Sequence, residues 1–126
     1  MNRITEFEIA GKKYPLNFSV KAARAVDEKF GSLDQLSGVF GWGDITTIMY
    51  NVCWTLRLLM EQGAAYKKLV EGEDVELLSE EDLETLIGAP DIPRAQAAIH
   101  ESIGISMKQT VEVEPDEKNA ETTQGN

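Results

Sequence analysis

The sequence predicts an α+β domain that is mainly α-helical, with an N-terminal β-hairpin packed on a small helical bundle and a disordered acidic C-terminal tail. Three observations predict this fold class. Apolar residues alternate with polar ones before residue 18, they recur at helical spacing between residues 20 and 103, and large apolar side chains are missing beyond Glu114. The length of 126 residues and the 42% of hydrophobic residues suit one globular domain, expected at residues 1–107.

Residues 4–18 are predicted to form the hairpin. A polar turn, Ala10-Gly11-Lys12-Lys13, separates two short apolar runs, and its glycine provides the permissive backbone that a tight turn requires. Pro15 lacks a backbone donor, which suits an edge strand. The apolar residues on either side of the turn are Ile4, Phe7, Ile9, Tyr14, Leu16 and Phe18.

The first two predicted helices cover about residues 20–30 and 44–62. Ser19 and Asp44 are suitable N-caps for them, and Gly31 and Gly63 are suitable terminators. The second helix has two apolar faces, which is typical of a helix at the centre of a fold or of an interface. Between the two helices we expect a short helical turn near residues 32–36 and then a glycine-rich connector.

The later helices are predicted at about residues 80–87 and 92–103, with a further short helix at 64–70. Ser79 is the expected N-cap of the first of these, and Pro93 suits the first turn of the last. Gly104 weakens the pattern, so residues 104–113 fit either a fraying helix or a terminal strand. Residues 108–126 are predicted to be a disordered or weakly ordered acidic tail.

The charge of the chain is strongly acidic and unevenly distributed. Twelve Lys and Arg residues stand against 22 Asp and Glu residues, which gives a net charge of −10. This balance argues against a nucleic-acid partner and against an anionic membrane surface. Residues 71–91 hold nine acidic side chains and no basic one. Calcium binding is not expected there, because Leu78 stands where an EF-hand loop of residues 73–84 requires glycine.

The inventory of reactive residues argues against an enzyme. Cys53 is the only cysteine and His100 the only histidine, which excludes an intramolecular disulfide and leaves a structural zinc site without ligands. Asp44 places a carboxylate where the glycine-rich connector would have to hold a phosphate. We therefore expect no catalytic residue, no cofactor and no metal. The N-terminus has no apolar stretch typical of a signal peptide, and polar residues interrupt the apolar run at 45–60, so a soluble cytosolic protein is expected.

Five apolar residues are the candidate partner-binding site. Three of them follow one another at i, i+4 and i+8 on the second face of the 44–62 helix, and two precede that helix. Two interpretations remain open: a second layer of the fold covers these side chains, or they form a surface for self-association or for a client protein. The five residues are Phe40, Trp42, Tyr50, Trp54 and Leu58.

The N-terminal third resembles the small tail assembly chaperones of long-tailed phages. The resemblance is carried by Ile9-Ala-Gly-Lys-Lys-Tyr-Pro-Leu-Asn-Phe18 and by Phe30-Gly-Ser-Leu-Asp-Gln-Leu36 at the end of the first helix. Proteins of this family bind the tape-measure protein, keep it soluble and help tail-tube subunits to assemble. The resemblance thus implies these two partners, a location in the host cytoplasm and absence from the mature virion. It contains no catalytic residue.

Other functions remain compatible with the sequence. One is a structural virion protein, or an oligomeric interaction protein, that stays in the particle. Another is an acidic decoy for the basic groove of a DNA-binding protein, although its carboxylates would have to form a rigid array. Homo-oligomerisation also remains open, and a longer frameshifted form would be encoded in the messenger RNA rather than visible in this chain.

Overall fold

The protein is mainly α-helical with a small N-terminal β-hairpin, which confirms the predicted fold class. The computed structural model describes the backbone of residues 3–113 and the side chains of residues 3–107. Two short 3-10 turns, Leu33–Gln35 and Ala89–Asp91, and a π-helical turn at Lys67–Glu71 join the regular elements. These elements are β1 Thr5–Ile9, β2 Lys12–Leu16, α1 Val20–Phe30, α2 Leu36–Gly41, α3 Ile45–Tyr66, α4 Glu80–Leu86 and α5 Ile92–Val113.

The hairpin pairs β1 and β2 in antiparallel register, with Phe7 opposite Tyr14. Its turn is shorter than the four residues predicted, because Lys12 and Lys13 belong to β2. Ala10 and Gly11 form the turn, and both have positive φ, 52° and 82°. This backbone conformation is typical of two-residue hairpin turns, whose twist matches that of the strands. The buried face of the hairpin includes Phe7, Ile9, Tyr14 and Leu16.

Helix α3 organises the core. It contacts β2, α1, α2, α4 and α5, and its buried side chains meet those of the hairpin and of α5 in one hydrophobic cluster. The backbone N–H of Asn17, just after β2, donates to the carbonyl of Leu59 at 3.1 Å. The fully buried apolar residues of α3 are Val52, Leu56, Leu59 and Met60.

The predicted end of this helix at Gly63 is wrong. Gly63 is buried, and α3 continues through it to Tyr66. A Cβ atom on Gly63 would overlap the backbone carbonyl of Pro15, so this glycine permits close packing against β2 instead of ending the helix. The separate short helix predicted at residues 64–70 is likewise absent: α3 passes into the π-helical turn, which Gly72 closes with φ 68°.

A short helix, α2, replaces part of the glycine-rich connector. Leu36 and Phe40 lie four residues apart, so they share one helical face, and both are buried. The side-chain amide of Gln96 in α5 donates to the carbonyl of Phe40 at 3.0 Å. Burial of this apolar pair outweighs the weak helix propensity of the neighbouring glycines.

Helix α5 is longer than predicted. It does not end near residue 103, since Gly104 lies inside it and the backbone of residues 104–113 is helical rather than extended. The predicted tail therefore overlaps this helix at residues 108–113, and its remainder, residues 114–126, lies outside the described residues. Among the described helices, none combines the length and the hydropathy that a membrane crossing requires.

Candidate protein-binding surface

Phe40 is removed from the candidate surface by the fold. Its side chain is 6% exposed, and its ring meets the ring of His100 edge-on, with centroids 6.0 Å apart and planes at 66°. Because α2 turns this face towards α5, Phe40 lies in the core instead of at a partner interface. His100 itself is exposed.

Trp42 has the opposite environment. It follows α2 directly, adopts an extended backbone conformation and is 83% exposed. Ile45, at the start of α3, is 59% exposed. Asp44 between them caps α3: its carboxylate accepts from the backbone N–H of Thr47 at 3.3 Å. Two exposed apolar side chains therefore flank the capped start of α3 in the chain.

The three predicted site residues of α3 differ in exposure. Tyr50 is 47% exposed, whereas Trp54 and Leu58 are half-buried and pack against the core. Helix α1 accounts for part of this cover, because Phe30 meets Trp54 edge-on at 5.7 Å with planes at 84°. The face is thus partly covered at Trp54 and Leu58 and accessible at Tyr50.

Lys29 is a member of this surface that sequence reasoning missed. It is exposed on α1, and its Nζ atom lies over three aromatic rings. The distances are 4.8 Å to the ring centroid of Trp54, 5.4 Å to that of Tyr50 and 5.8 Å to that of Phe30. Helical periodicity alone does not reveal this cluster, because it depends on how α1 packs against α3.

A shallow cleft continues from Trp54 towards α4. Leu58 lines it together with three charged residues, Arg57, Glu61 and Glu80. Arg57 is held in place: its Nε donates to the carbonyl of Leu78 at 2.7 Å, and its Nη1 lies 3.5 Å from a carboxylate oxygen of Glu61. The cleft therefore brings two apolar side chains together with one basic and two acidic ones.

Cys53 and the acidic side chains are the remaining candidate groups. Cys53 is buried, and burial together with the nearby carboxylate of Glu84 raises the pKa of its thiol, which disfavours the reactive thiolate. Within the described part of the chain, no group of three or more His, Cys, Asp or Glu side chains is arranged to hold a metal ion. The exposed acidic segment pairs locally, as in Lys68 with Asp74 at 2.7 Å.

Comparison with known proteins gives no match: no family model, no curated protein and no solved structure is significantly similar to this chain. Any functional assignment must therefore come from the residues and their arrangement.

Proposed function

We propose that this protein is a phage tail assembly chaperone that binds the tape-measure protein and promotes assembly of the tail tube around it. Its client surface comprises Trp42, Tyr50, Trp54 and Leu58, without Phe40. It acts as a non-enzymatic binding protein with no cofactor, in the host cytoplasm, and leaves before the virion is mature.

The observation that carries the proposal is the exposure of Trp42. Its side chain is 83% exposed, while Phe7, Tyr14 and Phe40 are at most 6% exposed. An indole in water forgoes the free energy of burial, and tryptophan is enriched among the residues that dominate protein interfaces. The exposed Trp42 and the partly exposed Tyr50 therefore support a protein client.

The charge distribution also supports the proposal. The acidic residues at 71–84 are largely exposed and follow the apolar face of α3 in the chain. Negative charge repels acidic partners and keeps the protein soluble while it holds an apolar client. The resemblance at residues 9–36 adds the identity of the client.

Co-expression with a fragment of the tape-measure protein tests the proposal. We expect the soluble yield of the fragment to rise with this protein and to fall again with the variant Trp42→Ser. Leu69→Ser is the matched control, because Leu69 is 86% exposed but lies in the π-helical turn, away from the proposed surface in the chain. A fragment that remains equally insoluble with and without the protein would contradict the chaperone function.

The alternative function is that of a structural protein that stays in the phage particle. A structural virion protein would be found in purified particles, whereas an assembly chaperone leaves them. Mass spectrometry of purified phage particles separates the two, and we expect no peptides of this chain.

A further inference from the structure

We propose that the rings of Phe30, Tyr50 and Trp54 form a cation-binding site, occupied in this structure by the chain's own Lys29, and that a lysine or arginine side chain of a partner protein takes the place of Lys29 there. The inference rests on the proposed function in one respect: it specifies the chemistry of the client segment that this surface accepts. We call these three residues the aromatic cage.

The geometry of the cage suits a cation. The planes of Phe30 and Trp54 stand at 84° to one another, so the two rings form adjacent walls of a corner, and Tyr50 lies one helical turn from Trp54 on α3. The Nζ atom of Lys29 lies within 6 Å of all three ring centroids. At this distance, the negative face of each ring quadrupole attracts an ammonium or guanidinium group.

Among the described residues, Lys29 is held only by these rings, and it is accessible to a competitor. It lies in the last turn of α1 and is exposed. Its recorded contacts within the described residues are the three cation–π contacts, with no ion pair to a carboxylate. Tyr50 is 47% exposed, so solvent reaches the cage without any rearrangement of the core. Replacing Lys29 therefore breaks no side-chain hydrogen bond to the described part of the chain and opens no buried cavity.

The surroundings of the cage favour a basic ligand. Trp54 belongs to the cage and also lines the adjoining cleft, whose charged lining residues are Arg57, Glu61 and Glu80. Glu61 already pairs with Arg57, but Glu80 is exposed and makes no ion pair with the described residues. A segment with one cation in the cage and another opposite Glu80 would match both features. The net charge of −10 attracts such a segment over a longer range.

The test is a titration with a small lysine probe, Nα-acetyl-lysine N-methylamide, monitored by the NMR signal of the Trp54 indole N–H. Because Lys29 competes with the probe, we expect the variant Lys29→Ala to bind it about tenfold more tightly than the unmodified protein. Lys21→Ala is the matched control, since Lys21 lies on the same helix and contacts no aromatic ring of the described residues, and this variant should bind as the unmodified protein does. The uncharged analogue Nα-acetyl-norleucine N-methylamide should not bind.

A second variant tests whether the aromatic ring of Tyr50 contributes to binding of the lysine probe. In the Lys29→Ala background, Tyr50→Leu keeps an apolar side chain of moderate size but removes the π face, and we expect the affinity for the lysine probe to fall about fivefold. The proposal is overturned if Lys29→Ala binds no more tightly than the unmodified protein, if the norleucine probe binds equally well, or if Tyr50→Leu changes nothing.

The outcome is independent of the chaperone test because the probe contains no tape-measure sequence. If the probe binds as expected but co-expression does not raise the soluble yield of the fragment, the cation-binding site is supported and the proposed client is wrong. If co-expression raises the soluble yield and the probe binds all variants with the same affinity, the client surface is supported and the proposed cation binding by the cage is wrong.

Discussion

Gly63 is the position where a single methyl group should matter most. The backbone of β2 packs directly on it, and a Cβ atom would overlap the carbonyl of Pro15. We expect Gly63→Ala to lower the free energy of unfolding by about 1–3 kcal/mol, because two backbone segments would have to separate. Urea denaturation measures the loss.

Gly104→Ala is the control for this substitution. Gly104 also lies inside a helix, but open space surrounds its position. Alanine there should raise the free energy of unfolding by about 0.5–1 kcal/mol, because it restricts the unfolded chain and favours the helix. Equal effects of the two substitutions would contradict the close packing of α3 on β2.

The thiol of Cys53 should make stability depend on pH in the alkaline range. Burial and Glu84 raise its pKa in the folded protein above the ordinary value of 9.0. The folded state then favours the protonated thiol, so its contribution is complete below 9.0 and is lost as the pH rises through the folded-state pKa.

The measurement is the stability difference between the unmodified protein and Cys53→Ala at about pH 8 and about pH 10. We expect the advantage of the unmodified protein to shrink at the higher pH. Alkylation by iodoacetamide should also be much slower in the folded than in the unfolded protein. Rapid labelling of the folded protein at neutral pH would be inconsistent with a buried thiol.

Among the helices, the two serine N-caps differ in how they connect to the rest of the fold. The hydroxyl of Ser19 accepts from the backbone N–H of Ala22 at 3.0 Å and donates to the side-chain oxygen of Gln62 in α3 at 2.6 Å. The hydroxyl of Ser79 accepts from Asp82 at 3.0 Å at an exposed site. The first cap therefore joins two helices, and the second stabilises only its own.

Alanine at each cap should reveal this difference. Ser19→Ala is expected to cost about 2–3 kcal/mol, since it removes the cap and leaves a largely buried Gln62 oxygen without its donor. Ser79→Ala should cost about 1 kcal/mol. Chemical denaturation of both variants gives the comparison, and equal losses would mean that the bond between Ser19 and Gln62 contributes nothing.

For the molecule as a whole, the hairpin depends on the helices for its stability. A two-stranded hairpin is at best marginally stable alone in water, and this one lies between α3 and α5. We expect the amides of β1 and β2 to exchange with the same free energy as those of central α3 in native-state hydrogen exchange. A markedly lower value for the hairpin would show that it unfolds independently.

Arg94 joins distant parts of the chain. Its Nη1 donates to the carbonyl of Glu8 in β1 at 2.8 Å, and its guanidinium lies 4.2 Å from the ring centroid of Phe7. Arg94→Ala should lower the global free energy of unfolding by about 1–2 kcal/mol. Arg24→Ala, at an exposed position without a side-chain partner among the described residues, should change it by less than about 0.5 kcal/mol. Thermal or urea unfolding separates the two.

Sequence reasoning succeeded where neighbouring residues decide the structure. Helix α1 begins after the Ser19 cap and ends at Gly31, as predicted. The predicted caps Asp44 and Ser79 are also confirmed. It failed at Gly63, where a contact with β2, more than forty residues away, makes the glycine part of a helix. It also failed at α2, where burial of Phe40 stabilises a helix that local propensity disfavours.

By itself, the sequence determined the mainly helical class, the hairpin, the caps and the acidic character of residues 71–91, because these follow from periodicity, local hydrogen bonding and charge. Only the tertiary structure decided which candidate aromatic residues are accessible. Phe40 is buried against α5, Trp42 is exposed, and Trp54 contacts Phe30 and Lys29 of α1. These outcomes depend on how helices distant in the chain pack together. No regular spacing of residues in the sequence indicates that packing.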